Sequence, residues 1–274
     1  MTTVAFPVAE RVIYERNPLA EVICQLRFSP ILEIEVQPPA EFQRRIRLDY
    51  PEYAVNQRAE FPVADLPPDL ARALNAVAQG IIDHKTAHNF VSSDGFWTVA
   101  LTKDFVALST KKYYRWEEFR RRLDLIIDAL GVYEVPYFTR IGLRYRDAIN
   151  RTSLGIPNTS WGELLQPYIA GELVASELAD SAIVEMRRLS RMKLDNQLQV
   201  ALQHGLARHD EKDDSGESIF LFDADLFTEE RIDASDRTKV LELLDSANAH
   251  ARNLFRWAIT DRLHSALGPR AVDP

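Results

Sequence analysis

Apolar and polar residues alternate along several stretches of the first half of the chain, which is the pattern of strands with one buried face. Residues 21–28 and 137–149 are the clearest cases, because apolar residues recur at every second position over most of each. Residues 87–92, 96–102 and 105–110 are shorter apolar runs separated by residues that favour tight turns. Such turns join neighbouring antiparallel strands, so these three runs predict an antiparallel meander.

Other stretches repeat their apolar residues at the spacing of a helical turn. Residues 40–48 and 116–130 show this pattern in the first half, and Gly131 predicts where the second of these helices ends. Residues 68–78 begin with two prolines, which suit the first turn of a helix. Residues 235–267 carry a long apolar stripe, which predicts one amphipathic helix near the end of the chain.

The remaining apolar segments predict four more strands and one partly helical stretch. We expect a short strand at 59–63 and longer strands at 182–189, 197–206 and 218–227. Residues 160–178 are expected to be helical in part.

This order of elements predicts an α+β protein in two halves, each a mostly antiparallel sheet with helices packed on one face. The first half would span residues 1–150, and the second would span residues 160–274 and end in the long C-terminal helix. Residues 150–159, rich in Asn, Thr, Gly and Pro, would link them. A chain of 274 residues is long enough for two domains of ordinary size.

The composition is that of a folded protein, since 46% of the residues are hydrophobic and 27% are charged. The formal net charge of -8 argues against a surface built as a whole to bind nucleic acid or an anionic membrane. A local basic face could still bind nucleic acid, a function that the composition does not favour.

Cys24, the one cysteine of the chain, cannot form an internal disulfide. It stands in an apolar run, which predicts a small buried hydrophobic side chain and a reducing compartment. We find no apolar stretch long enough for a signal peptide or a membrane span. We therefore expect a cytoplasmic protein that does not bind membranes.

Three short motifs carry a resemblance to a known family. They are Tyr-Glu-Arg-Asn-Pro-Leu-Ala-Glu-Val at 14–22, Leu-Arg-Phe at 26–28 and Arg-Ile-Gly-Leu-Arg-Tyr at 140–145. With them the chain resembles a sporadically distributed family of uncharacterised prokaryotic proteins. The resemblance implies no reaction, cofactor or catalytic residue. A patchy distribution is typical of mobile accessory genes, so the resemblance implies an accessory of a defence or toxin-neutralising system.

Arginine supplies 26 of the 33 basic residues. Arg140, Arg144 and Arg146 share the polar side of one predicted strand, and Arg27 could lie beside them on a neighbouring strand. Such a row, with Glu21 as a nearby carboxylate, could bind a nucleotide, an RNA backbone or an acidic protein segment. The competing interpretation is ordinary ion pairing with some of the 41 acidic residues.

Four aromatic residues cluster where the meander runs into the next helix: Trp97, Tyr113, Tyr114 and Trp116. Exposed rings at such a junction could anchor a protein partner. The apolar stripe of the C-terminal helix could likewise form a homodimer interface, or it could be buried inside the fold of its own chain.

The sequence contains two arrangements that resemble metal sites. His84 and His88 are four residues apart, but the segment leads into a strand and lacks a companion glutamate, so we expect no metal there. Glu33 and Glu35 alternate on what we interpret as a strand, as in enzymes that process triphosphates, but the lysine of that motif is absent. We therefore expect no metal and no cofactor.

Acidic residues elsewhere have simpler interpretations. Asp223 and Asp225 are expected on the solvent-facing side of a strand, and residues 210–217 form a charged hairpin loop. The chain also lacks a glycine-rich phosphate loop and a nucleophile elbow.

Two functions follow from these observations. The first is a non-catalytic cytoplasmic component that acts as a protein-binding or scaffold protein, binds the product of a neighbouring gene and forms a homo-oligomer. The second is a protein that binds a phosphate ligand, a nucleotide or RNA, or that transfers or hydrolyses phosphate, through the arginine-rich face.

Overall fold

The computed structural model describes residues 3–56, 86–178, 183, 185–208 and 218–272. The strands of these residues are β1 (Val12–Tyr14), β2 (Leu19–Phe28), β3 (Glu52–Asn56), β4 (Ala87–Val91), β5 (Trp97–Leu101), β6 (Phe105–Thr110), β7 (Tyr137–Asn150), β8 (Met186–Lys193), β9 (Gln199–Arg208), β10 (Ser218–Thr228), β11 (Ile232–Asp233) and β12 (Pro269–Ala271). The helices are α1 (Leu32–Val36), α2 (Ala40–Ile46), α3 (Trp116–Leu130), α4 (Trp161–Leu164), α5 (Pro167–Ala170), α6 (Arg237–Ala258) and α7 (Asp261–Ala266).

One antiparallel sheet runs through the whole described chain. Its ten strands have the order β3-β4-β5-β6-β2-β7-β10-β9-β8, and the short β11 pairs with one end of β7. The two predicted half-sheets are continuous, because β7 of the first half pairs with β10 of the second. The predicted α+β class, with helices on one face of an antiparallel sheet, is confirmed.

The helices cover one face of this sheet because the alternation of each strand places its apolar side chains there. A single hydrophobic cluster contains side chains from every described helix together with Cys24 of β2 and Leu143 of β7. Cys24 is fully buried, as predicted. We call this side of the sheet the helix face and the opposite side the bare face, since no described helix packs on it.

Several predicted elements have the expected bounds. Helix α3 covers residues 116–130, and the meander of β4, β5 and β6 differs from its prediction by one or two residues. Strand β7 continues one residue beyond the predicted end. These elements share long, uninterrupted apolar periodicity or clear turn residues at their ends, which are the strongest local signals.

The long C-terminal helix is shorter than predicted. Helix α6 ends at Ala258, and α7 begins after a break at Ile259 and Thr260. Ile259 pairs as an isolated bridge with Leu165, and the Thr260 side chain accepts a hydrogen bond from the backbone N–H of Leu263. The break therefore combines a tertiary backbone pairing with a new helix cap, which the apolar stripe alone does not reveal.

Two further predictions changed, and four lie outside the described residues. Glu33 and Glu35 lie in helix α1 rather than in a strand, so the acidic strand pair does not exist. The strand predicted at 182–189 begins at Met186 and continues to Lys193. The predictions for 59–63, 68–78, His84 and 210–217 fall outside the residues that the structure describes.

The segment before β2 crosses the helix face as an arm. Its strand β1 pairs with β12, so Val12 faces Ala271. The backbone N–H of Val4 donates to the carbonyl of Lys193, and that of Ala9 donates to Oδ1 of Asn253 on α6. We call residues 4–19 the N-terminal arm.

Candidate functional site

The structure places the predicted arginines together on the bare face. Arg140, Arg144 and Arg146 project from β7, and Arg27 stands directly opposite Arg140 on β2. Each guanidinium has a carboxylate beside it, so none of the four cations is free. The pairs are Arg144–Asp223 at 2.6 and 2.7 Å, Arg146–Glu21 at 2.8 Å, Arg140–Asp225 at 2.7 Å and Arg27–Asp104 at 3.7 Å.

Strand pairing explains these contacts. Glu21 lies directly opposite Arg146 in the β2–β7 register. In the β7–β10 register Asp223 lies opposite Arg146 and Asp225 opposite Arg144, so the bonded pair Arg144–Asp223 is diagonal across the two strands. Asp223 is buried, which corrects the expected solvent-facing position of the two aspartates. We call Arg140, Arg144, Arg146, Glu21, Asp223 and Asp225 the charge ladder.

The charge ladder is held in a poorly hydrated environment. Burial raises the pKa of Glu21, although the Arg146 guanidinium opposes this shift. Arg144 binds Asp223 through two parallel hydrogen bonds, the strongest geometry for such a pair. The ladder can therefore hold β2, β7 and β10 in register without a ligand.

The aromatic candidates do not form an exposed cluster. Trp97 and Trp116 are buried and pack against Phe119, and Trp116 Nε1 donates to Asp245 at 2.6 Å. Tyr113 is half-buried, and only Tyr114 of the four is largely exposed, at 60%. The rings face inward because β5 and α3 place them on the helix face.

The remaining metal candidate has a structural explanation. His88 is buried, with Nδ1 2.9 Å from the Tyr53 hydroxyl and Nε2 2.9 Å from the carbonyl of Ile34. Glu35 pairs with Lys103 at 3.0 Å. Within the described ranges, no group of three or more His, Cys, Asp or Glu side chains could hold a metal ion.

A cavity of about 640 Å³ lies on the helix face. Its floor is formed by β7 and β10, where Tyr145 and Asp147 lie beside Ala224 and Phe222. Helix α6 forms one wall, and the N-terminal arm with residues 113–116 forms the other. The volume lies within the usual range for small-molecule sites, about 300–1,000 Å³.

The wall from α6 follows from the helical period. The residues that line the cavity are spaced by three and four positions, so they form one stripe along the helix. They are Asn248, Ala251, Arg252, Phe255 and Arg256, and Trp257 extends the lining at the end of the helix.

Aromatic rings supply much of the cavity lining. The ring of Phe255 lies 6.1 Å from that of Tyr14 and 5.8 Å from that of Phe222, both roughly edge to face. Tyr168 stacks on Trp257 at 4.2 Å. Rings packed in this way present a rigid apolar surface to a ligand.

Two tyrosine hydroxyls are fixed by hydrogen bonds. The Tyr14 hydroxyl lies 2.8 Å from Nδ1 of His264, and the Tyr145 hydroxyl donates to Oδ1 of Asn248 at 2.8 Å. Burial raises the pKa of Tyr14 to about 12, and the pKa of Tyr145 well above its ordinary value. Both hydroxyls are therefore protonated at neutral pH.

Asp147 is a buried carboxyl group on the cavity floor. Among the described residues, no hydrogen bond or ion pair partner is found for it. Burial raises its pKa well above the ordinary value, and the carboxylate of Asp223 behind the strand adds to the shift. The shift favours a neutral carboxylic acid, which can donate a hydrogen bond.

Arg252 is the second cavity residue without a partner among the described residues. Its Nε atom is buried and has no hydrogen bond, and no carboxylate lies within 4 Å of the guanidinium. Burial lowers the pKa of Arg252, and the nearby positive charge of Arg11 lowers it further. Two of the other cavity arginines have partners, since Arg11 pairs with Glu117 and Arg256 with Asp261. The remaining one, Arg115, is exposed to solvent.

Comparison with known proteins adds no assignment. No protein-family model matches the chain. No curated protein matches it either. The family resemblance of the three motifs therefore stays a prediction. Among the described helices, none combines the length and the apolar character needed to cross a membrane.

The sequence held signals for this cavity that the motif search did not use. Asp147 falls on the apolar phase of β7, two residues after Tyr145 and two before Ile149. Arg252 and Arg256 likewise lie beside the apolar stripe of α6 rather than opposite it. A charged residue in an apolar phase indicates either a buried pair or a site.

Proposed function

We propose that this protein binds a small organic molecule in the cavity between α6, the β7–β10 floor and the N-terminal arm. The observation that carries the proposal is the cavity itself, about 640 Å³ with an aromatic lining and a few converging polar groups. The proposal requires binding alone and assigns no reaction to the protein.

The arginine-rich face gives less support to ligand binding. Arg144 and Arg146 already have carboxylate partners, so an incoming phosphate would have to displace Asp223 or Glu21. Breaking such a buried pair is costly, because it leaves a charge without compensation.

The fluorescent aromatic anion 8-anilinonaphthalene-1-sulfonate is a suitable first probe of the cavity. We expect one saturable site in the wild-type protein, measured by fluorescence titration and by calorimetric stoichiometry. Replacing Ala251, which lines the cavity, with Phe should fill the space and abolish binding. Ala249→Phe places the same ring elsewhere on α6 and should leave binding intact.

Equal probe binding by Ala251→Phe and Ala249→Phe would place the probe outside the cavity and contradict the proposal. Native mass spectrometry of protein purified gently from its host is the companion measurement. A retained small-molecule mass that Ala251→Phe loses would support the proposal and identify the ligand.

A second proposed function is the binding of a protein partner, and the edge strand β8 favours it. In the described residues β9 is the one strand that pairs with β8, and Leu189 on β8 is 73% exposed. The N-terminal arm contacts this strand at its last residue, where the N–H of Val4 donates to the carbonyl of Lys193. Arg187, Arg191 and Lys193 are exposed on the same strand. An extended acidic segment could add to this edge through backbone hydrogen bonds, with the basic side chains selecting its charge.

A synthetic peptide of alternating Glu and Val tests this second function. We expect salt-sensitive binding that the double reversal Arg187→Glu, Arg191→Glu abolishes, whereas Arg44→Glu, Arg45→Glu on α2 preserves it. Equal weakening by both double variants would indicate non-specific attraction and contradict the proposal. Light scattering of the same samples determines whether the chain forms the proposed homodimer.

A further inference from the structure

Two arginines of the cavity have no carboxylate partner among the described residues: Arg115 is exposed to solvent, whereas Arg252 is half-buried with a fully buried Nε atom. Arg252 has no carboxylate partner, whereas Arg11 and Arg256 beside it are paired. Asp147 cannot serve as that partner, because no ion pair joins it to Arg252 within 4 Å. The α6 wall of the cavity therefore carries a positive charge that no described carboxylate neutralises.

Arg252 as a whole is half-buried, but its Nε atom is fully buried without a hydrogen bond, which costs free energy. Buried polar groups in proteins are almost always paired, and buried charges are paired or neutralised. Arg252 keeps its charge at neutral pH, since a guanidinium is not deprotonated in proteins. The nearby Arg11 increases the local positive potential rather than cancelling it.

The surroundings of Arg252 fit an anion with an attached ring system. The Tyr113 and Tyr145 hydroxyls lie close enough to act on Arg252 electrostatically, and both line the same cavity. The rings of Tyr14, Phe222 and Phe255 line the same cavity. A guanidinium and several aromatic rings in one cavity match a molecule that has an acidic group and an apolar body.

We infer that the ligand of the cavity is an organic anion whose acidic group binds Arg252 and whose apolar or aromatic body lies among Tyr14, Phe222 and Phe255. This inference rests on the proposed function and adds the chemical class of the ligand. A carboxylate, sulfonate or phosphate supplies the same two-pronged acceptor for the guanidinium. Binding of the anion would supply Arg252 with the partner that the chain does not provide.

Two probes of nearly equal shape distinguish the effect of the ligand's charge from the effect of its fit in the cavity. 8-Anilinonaphthalene-1-sulfonate carries the anion, and N-phenyl-1-naphthylamine is its neutral counterpart. We expect Arg252→Met to weaken binding of the sulfonate at least tenfold and to change binding of the neutral amine less than twofold. Arg262→Met, which removes an exposed arginine paired with Glu163, is the matched control and should change neither.

The outcomes distinguish this inference from the proposed function. If Arg252→Met weakens both probes equally, or neither, while Ala251→Phe still abolishes binding, the cavity is a site but its ligand is not selected by charge. If neither probe binds the wild-type protein at the cavity, both proposals are wrong. Circular dichroism of each variant verifies that loss of binding does not follow from unfolding.

Discussion

The two faces of strand β7 carry the same kinds of charged residue in opposite states. On the bare face, Arg144 and Arg146 each have a carboxylate within 3 Å. On the helix face, Asp147 of β7 and Arg252 of α6 both line the cavity and have no ion-pair partner among the described residues. Successive residues of one strand therefore contribute to an ionic network and to an open cavity, although Nε and Nη2 of Arg146 are buried in that network without a hydrogen bond.

This difference shows how pairing separates structural charges from candidate binding groups. A paired, buried charge satisfies its own electrostatic requirement and needs no ligand. An unpaired charge that lines a cavity gains a partner only when a ligand arrives. The abundance of arginine alone points to the charge ladder, whereas the absence of a partner points to the cavity.

The largest expected loss of stability comes from removing a carboxylate of the charge ladder. Asp223→Asn removes the carboxylate that binds Arg144 through two hydrogen bonds. We expect a loss of about 3–5 kcal/mol in the free energy of unfolding, because the buried guanidinium is left uncompensated. Urea denaturation monitored by circular dichroism measures it.

Glu229→Gln is the control for that measurement. It removes the carboxylate partner of Arg191 in an exposed pair, where about 0–1 kcal/mol is expected. Equal losses for Asp223→Asn and Glu229→Gln would show that the ladder is not a stabilising network.

Replacing Asp147 should have an intermediate effect on the free energy of unfolding, and this effect should depend on pH. Its pKa is higher in the folded protein than its ordinary value of 3.8, so folding retains a proton that the unfolded chain loses. The free energy of unfolding should therefore fall as pH rises from about 4 toward the folded pKa, by at most about 1.4 kcal/mol per pH unit.

Asp147→Asn removes this titration and should be more stable than the wild type at neutral pH. The two proteins should converge below about pH 4, where the wild-type carboxyl is protonated in both states. Parallel stability curves between pH 4 and pH 7 would contradict the predicted shift.

The smallest effect is expected at Arg252. Without ligand, Arg252→Met should change the free energy of unfolding by no more than about 1 kcal/mol, because no ion pair is lost. Thermal unfolding in ligand-free buffer tests this. A loss similar to that of Asp223→Asn would mean that Arg252 is part of a structural network.

Local signals in the sequence predict much of the fold. Helix α3 has the expected bounds because its apolar period is long and Gly131 follows it. The alternation of Glu33 and Glu35 is too short to specify a strand, and the segment folds as the short helix α1. The position at which α6 ends depends on the pairing of Ile259 with Leu165, a contact between residues that are distant in sequence.

The site depends mainly on such distant contacts. Grouping Arg140, Arg144 and Arg146 on one face required only the two-residue period of a strand. Their pairing with Asp223 and Asp225 required the register between β7 and β10, which local patterns do not encode. The cavity needs three distant segments at once, so no single motif identifies it.

The alternating charges of β7 also bear on how the chain reaches its fold. Glu21 lies 125 residues before Arg146, and Asp223 lies 79 residues after Arg144, so both pairings close long loops and form slowly. A slip of one residue would turn Arg146 toward the hydrophobic core and Asp147 toward Asp223. In the shifted register, Arg146 would be buried without a partner, and the carboxylates of Asp147 and Asp223 would repel each other. The charge ladder therefore favours the native register of the sheet over a register shifted by one residue.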